Sequence, residues 1–361
     1  MTILLNKPVT PCLKKLSSYL EQINERGLYT NFGPLHQELT YRLEEYLGIK
    51  NLLLVSNGTL ALHVAYRALD IKSAICTPFS YAATASSLAW EKIPFLFSDI
   101  DPGSLNLCPK LVEENLINKK NIDSIVATHV YGNACDVETF EKLQRKFDVK
   151  IIYDGAHAFN IKYGKNSLLN YGDASTLSFH ATKVFHTLEG GAIIFKDKDI
   201  FNKAKRSINF GIDSNGSLSQ LGINAKLNEY QCAVGLTLFE IIDDILGHRI
   251  DLFNLYRQLL ESYIQIPIWN ESSSVNGAYF PIILQSNQER QDVKLALENS
   301  NIPSREYFSP SLDSVYSKKD VCINSRDIAS RVLCLPLHYY MSLADVKTVS
   351  QVIKSSIINK T

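Results

Sequence analysis

The stretch "NLLLVSNGTLALHVAYRAL", residues 51–69, decides the fold. It begins as an unbroken apolar run, the pattern of a strand buried on both faces, and passes through Asn57, Gly58 and Thr59 into an amphipathic helical stretch. The same alternation repeats outward to about residue 195. "SAICTP" (73–78) precedes "YAATASSLAW" (81–90), "IPFLFSDI" (93–100) precedes "PKLVEENL" (109–116), and "DSIVATHV" (123–130) precedes "VETFEKLQRKF" (137–147). "KIIYDGAHAF" (150–159), "STLSF" (175–179) and "GAIIF" (191–195) supply further strands. Continuous apolar strands joined by helices predict an α/β architecture, a mainly parallel sheet covered on both sides, with ligands collecting at the carboxyl ends of the strands.

On either side the pattern changes. Residues 11–26 carry Leu13, Leu16, Leu20 and Ile23 at helical spacing, and "GLYTNFGP" (27–34) stops that helix. "IFNKAKRSINFG" (200–211) and "LNEYQCAVGLTLFEIIDDIL" (227–246) read as helices, the second long enough to leave the sheet and begin another unit. Mixed signals follow: "AYFPIIL", "ERQDVKLALENS", "RVLCLPL" and "LADVKTVSQVIKSSI". The expected division is an N-terminal helix and arm at 1–30, a large domain at 31–245 and a smaller α+β domain at 246–361.

Composition excludes several partners. With 37 basic and 37 acidic residues among 361, no global field draws the chain to nucleic acid or to an anionic membrane. No run of about 18 uncharged apolar residues suggests a membrane span. The seven cysteines are scattered without a Cys-x-x-Cys pair, which fits reduced thiols in a cytoplasmic protein.

Chemistry is expected at the strand ends. Asn57, Gly58 and Thr59 open a helix whose free amides and dipole could seat a phosphate, or Asn57 and Thr59 could simply cap it. Asp154 ends an apolar strand with His157 three residues on; it could meet a ligand cation, orient a histidine, or serve as a turn residue. No second acid or histidine lies at ligand spacing, so a metal is not expected. Lys183 lies between two strands, near Ser178 and Thr182. A lone lysine there could be a solvated charge, yet its apolar and small neighbours would desolvate it into a nucleophile. Phosphate seat, acid, hydroxyl and amine together suggest pyridoxal phosphate, with Tyr81 either covering the ring or packing in the core.

From about residue 27 to 340 the chain resembles the DegT/DnrJ/EryC1/StrS family of sugar-nucleotide aminotransferases. The resemblance rests on ordered blocks: "LYTNFGP", "SNGTLAL", "TPFSYAATASSL", "DIDPGSLNL", "THVYGNACDV", "IIYDGAHAF", "LSFHATKVFHTLEGGAI", "GINAKLNEYQCAVGL" and "LPLHYYM". It implies an aspartate-aminotransferase-like fold (fold type I) with a seven-stranded sheet in a large domain that binds pyridoxal 5'-phosphate. It also implies a homodimer with shared sites. By the family pattern Lys183 links covalently to the cofactor and Asp154 faces the ring nitrogen. His157 lies near the ring hydroxyl, Tyr81 stacks on the ring, and Gly58, Thr59 and Ser178 hold the phosphate. Asn224 is expected to reach the neighbouring subunit's phosphate site.

His186 could touch the sugar, although it reads more readily as a loop-packing residue, and His338 could likewise reach the site from the smaller domain. Two departures, Val184 where relatives carry asparagine and Lys226 where they carry arginine, fall where substrate preference could shift. A lysine rather than a histidine at 183 favours amino transfer over dehydration.

The implied reaction takes an amino group from L-glutamate to a nucleotide-linked keto-6-deoxyhexose, leaning to dTDP-4-dehydro-6-deoxy-D-glucose, with 3-keto sugars as the alternative. Amino-sugar supply to lipopolysaccharide O-antigen is the expected setting. A cofactor-binding regulator without turnover would need no intact lysine and acid pair. A nicotinamide dehydrogenase would need the G-x-G-x-x-G turn that "SNGTLAL" lacks.

Overall fold

Seven strands form the central sheet of the computed structural model, which describes residues 3–119, 121–317 and 319–358. They are β1 (Leu52–Val55), β2 (Ala74–Cys76), β3 (Phe95–Phe97), β4 (Ser124–Thr128), β5 (Lys150–Asp154), β8 (Ala174–Ser178) and β9 (Gly191–Phe195); between β5 and β8 lies a small hairpin of β6 (Lys162–Tyr163) and β7 (Asn166–Ser167). The order is β1-β9-β8-β5-β4-β2-β3. β9 is antiparallel to both neighbours and the other pairs are parallel, so β9 alone runs against the rest of the sheet. The short connection that carries Lys183 between β8 and β9 requires that reversal, because a parallel pair needs a long crossover.

Successive residues of each strand serve opposite faces. Leu53 and Val55 of β1 pack with α3 (Gly58–Ala68), α4 (Ala82–Trp90) and α7 (Lys198–Ser207). Leu52 and Leu54 pack with α1 (Leu13–Arg26), α2 (Pro34–Leu47) and α8 (Glu229–Phe239). Under β4 and β5 the same opposite face is covered by α5 (Pro109–Asn118) and α6 (Val137–Phe147). Two covered faces are the reason the strands read as continuous apolar runs.

The expected single helix over 227–246 is divided. α8 ends at Phe239, and α9 (Ile242–Leu260) starts behind Ile241, whose φ of −118° and ψ of 17° are not helical. α8 is buried nearly all round whereas α9 is amphipathic, so the break turns a core helix outward into one that carries a second core. That core joins α9 to β10 (Phe280–Ile283), α10 (Asn287–Asn299), β11 (Val332–Leu335) and α13 (Leu343–Ile358), with β10 and β11 antiparallel. α11 (Asp313–Tyr316) and α12 (Ile323–Arg331) lie between α10 and β11. Among the described residues no helix is long and apolar enough to cross a membrane, and all seven cysteines are unpaired.

Buried imidazoles make the fold acid-sensitive. Burial lowers His36 to about 4, assisted by the charge of Lys205, and lowers His129 to about 3. Both are neutral when folded, whereas an unfolded chain protonates them near 6.5. Their contribution is therefore complete above pH 6.5 and is lost as pH falls toward 4 for His36 and toward 3 for His129, by about 3 and about 5 kcal/mol at most. Urea midpoints are expected to fall from pH 7 to pH 5, and His36→Gln to flatten part of that slope. Equal midpoints across this range would contradict the assignment.

Candidate active site

The carboxyl ends of β1, β2, β4, β5 and β8 open into one cavity of about 400 Å³. At the end of β1, Asn57 caps α3: its Oδ1 accepts from Leu60 N at 2.8 Å. Gly58 and Thr59, the next two residues, line the cavity with Ser178 from the end of β8. The helix start and the strand end are pressed together, for a Cβ on Gly58 would stand 3.0 Å from Ser178 Cβ. The same crowding explains Gly191, where a Cβ would meet the Asn57 carbonyl carbon at 2.7 Å. The capping and phosphate-seat readings of this turn are thus compatible, with Asn57 in the first role and the amides behind it available for the second.

Asp154 ends β5, buried to 6 % exposure. Its Oδ1 accepts from Ala156 N at 3.1 Å and its Oδ2 from Thr84 Oγ1 at 2.7 Å. His157 follows on the cavity wall, stacked on Phe308 with 5.8 Å between centroids. Its Nδ1 is buried without a hydrogen-bond partner, and burial, then the charge of Lys183, holds the imidazole well below its ordinary range. Tyr81, 60 % exposed at the start of α4, lines the cavity rather than packing in the core.

Lys183 sits on a loop tied back on itself by Phe179 N to Gly190 O (2.8 Å) and Thr187 N to Phe179 O (2.9 Å). Beneath it Phe185 packs on Phe159 and Phe179, each at 5.0 Å between centroids. The lysine's apolar neighbours are thus the anchor of its loop. Lys183 is half-buried in the cavity wall, with Nζ 6.0 Å from the centre of the Tyr279 ring. Desolvation lowers its pKa, against the opposing pull of Asp154, Tyr307 and Tyr81. An amine so placed spends more time uncharged than a surface lysine does, as a nucleophile must.

Three expected residues do not reach this cavity. His186 is buried, its Nε2 3.0 Å from Val9 O and its Nδ1 accepting from Leu188 N at 3.3 Å. His338 repeats the arrangement, with Nε2 3.1 Å from Leu4 O and Nδ1 accepting from Tyr340 N at 3.2 Å. In both, the backbone N–H fixes the proton on Nε2, which donates to the N-terminal arm. The expectation that they touch the sugar is corrected accordingly for the cavity of their own chain: Nε2 of His186 is engaged with residue 9 and Nε2 of His338 with residue 4, each Nδ1 accepts from a nearby backbone N–H, and neither ring lines the cavity. Asn224 is exposed on the hairpin after α7, outside the cavity of its own chain.

The sequence reading missed the wall formed by Tyr279, just before β10, and by Arg305, Tyr307 and Phe308, between α10 and α11. Arg305 and Lys183 are the lysine and arginine side chains among the described lining residues. Thr84 was also missed, although its position three residues after Tyr81, in the first turn of α4, marks it as facing the same way. Among the described residues no group of three or more His, Cys, Asp or Glu could hold a metal ion.

These side chains could hold pyridoxal 5'-phosphate. The orphaned His157 Nδ1, the cradle between Gly58 and Ser178, the buried carboxylate and the desolvated amine match a phosphorylated hydroxypyridine aldehyde in kind.

Comparison with known proteins agrees. The model of the DegT/DnrJ/EryC1/StrS aminotransferase family matches residues 13–354. A dTDP-4-amino-4,6-dideoxy-D-glucose transaminase of Shigella dysenteriae is 39% identical over 350 residues, covering 94% of this chain and 95% of its own. One of Escherichia coli is 33% identical over 350 residues, covering 93% and 94%. The crystal structure of DesI in the presence of its TDP-sugar product superposes with a TM-score of 0.92 at 24% identity, covering 99% of this chain and 94% of that one, which shows a shared fold.

Proposed function

The chain belongs to the DegT/DnrJ/EryC1/StrS aminotransferase family, and from that membership we propose that it moves the amino group of L-glutamate onto the keto carbon of dTDP-4-dehydro-6-deoxy-D-glucose, with pyridoxal 5'-phosphate as cofactor. The product is dTDP-4-amino-4,6-dideoxy-D-glucose, the sugar in the names of the Shigella dysenteriae and Escherichia coli relatives. The observation that carries this reading is the meeting of a desolvated Lys183, a buried Asp154 and a helix start at Gly58 in one cavity.

When bound there, the cofactor supplies an electron-accepting ring and a temporary carrier for the amino group. The protein's groups divide the rest. Gly58, Thr59 and Ser178 would hold the phosphate, Tyr81 would cover the ring, and His157 would offer its free Nδ1 to the ring hydroxyl. Asp154 would pair with the ring nitrogen. Lys183 Nζ would anchor the cofactor and serve as the base for the α-proton of the donor. Arg305 offers a guanidinium to the anionic substrates at the mouth.

The active form is a homodimer in which Asn224 of each copy completes the other copy's phosphate seat. What supports this is an apolar surface around Asn224: Phe210, Leu218, Leu221 and Ile223 are exposed, Leu218 and Leu221 at 78 % each. The paired change Leu218→Asp with Leu221→Asp is expected to yield a monomer by light scattering whose cofactor affinity falls at least about tenfold. A monomer with unchanged affinity would remove Asn224 from the site, and a variant that stays dimeric would remove this surface from the interface. The setting in this reading is the cytoplasm, with amino-sugar supply for lipopolysaccharide O-antigen; unpaired cysteines and a nucleotide-sugar substrate support it.

The decisive experiment incubates the protein with glutamate and dTDP-, UDP- and GDP-linked 3-keto and 4-keto sugars, reading products by mass spectrometry and NMR. Formation of dTDP-4-amino-4,6-dideoxy-D-glucose and 2-oxoglutarate is expected. Preference for a 3-keto substrate would overturn the assigned position, and release of no 2-oxoglutarate would overturn amino transfer.

A further inference from the structure

Asp154 stands at the end of a chain of hydroxyls. Thr84 Oγ1 donates to Asp154 Oδ2 at 2.7 Å, Ser80 Oγ lies 2.7 Å from Thr84 Oγ1, and Thr128 Oγ1 lies 3.0 Å from Ser80 Oγ. All four side chains are buried. They come from separate elements: Thr128 ends β4 opposite Asp154 in register, Ser80 lies in the loop after β2, and Thr84 is in the first turn of α4.

Proton counting fixes the direction of this chain. Each hydroxyl owns one proton, and an ionised carboxylate can only accept. Thr84 therefore commits its proton to Asp154, Ser80 must donate to Thr84, and Thr128 must donate to Ser80. Three donors aligned in one direction toward the carboxylate polarise each other and hold its orientation. With Ala156 N on the other oxygen, the carboxylate is held against rotation at both atoms while still lining the cavity.

We propose that Thr84 is a positioning residue for amino transfer: its hydroxyl, oriented by Ser80 and Thr128, fixes the Asp154 carboxylate for the cofactor's ring nitrogen. This rests on the reading that the cavity takes pyridoxal phosphate. The Thr84 hydroxyl caps no backbone amide of α4, which begins at Tyr81 without a side-chain cap, and its proton goes to Asp154.

The test uses the full-length, cofactor-loaded enzyme. Thr84→Val keeps the shape and removes the donor; both half-reactions should slow roughly tenfold, and Thr84→Ser should restore them. The absorbance of the bound cofactor, followed against pH, should shift by about one unit in Thr84→Val and not in Thr84→Ser. Ser80→Ala leaves Thr84 as donor but unoriented, and should shift the same titration in the same direction by less; it serves if the valine variant does not fold. In an Asp154→Asn background Thr84→Val should cost less than about twofold, since the group it acts through is gone.

A Thr84→Val enzyme that titrates and turns over like wild type overturns the inference, as does a loss that adds in full to Asp154→Asn. If those results appear beside a wild type that binds cofactor and transfers nitrogen, the functional reading stands and this inference alone fails. A wild type that takes up no pyridoxal phosphate overturns both.

Discussion

Lys183→Ala is expected to lower amino transfer by at least about ten-thousand-fold while leaving thermal stability close to wild type. The size of the effect follows from the two duties given to one atom. In the proposed function Nζ would anchor the cofactor and also carry the donor's α-proton, so its removal would delete a covalent tether and a general base together. Stability should hardly change because the loop is anchored by Val184 and Phe185, both buried, and not by the lysine, whose amine faces the cavity. Borohydride reduction of the loaded wild type should leave the label on Lys183, and the variant should carry none at that position. A small exogenous amine should restore part of the variant's rate, which a folding defect would not allow. A variant within tenfold of wild type would remove Lys183 from the chemistry.

Asp154→Asn is expected to slow both half-reactions by about a hundred- to a thousand-fold with the cofactor still bound. An amide cannot keep a ring nitrogen protonated by charge pairing, so the loss should fall equally on the glutamate and sugar halves. A second readout has a definite sign. Asp154 raises the pKa of Lys183 against the dominant lowering by burial. Removing that charge should therefore lower the lysine pKa further and move the midpoint for cofactor capture by the apoprotein to more acid pH. Near-normal rates in stopped flow, or a midpoint that moves to more alkaline pH, would contradict the role given to Asp154.

How much of this site was legible depended on the range of the signal. Gly58, Asp154, Ser178 and Lys183 lie at or just beyond strands whose apolar runs mark their own ends. The open choice at Asn57 was between capping and phosphate binding; the Leu60 contact assigns the cap to that side chain. His186 and His338 misled because nearness in sequence to Lys183, or to a small-lobe strand, says nothing about which way a ring points. Both rings turn away from the cavity to hold Leu4 and Val9. The break after α8 was missed for a related reason, since its flanking residues are apolar on both sides and local periodicity does not show that the second helix leaves for another core.

The sequence by itself determined the architecture and its reactive ends: strands buried on both faces, the turn into α3, the acid closing β5 and the lysine between two strands. These follow from short-range rules, because burial and turn chemistry act on residues a few positions apart. Only the tertiary structure decided what faces those ends. Tyr279, Arg305 and Tyr307 come from about a hundred residues beyond Lys183, and the chain from Thr128 through Ser80 and Thr84 to Asp154 joins three separate loops or strands to one helix. Contacts of that kind are set by how two lobes and adjacent strand ends pack, and no spacing within a segment encodes them.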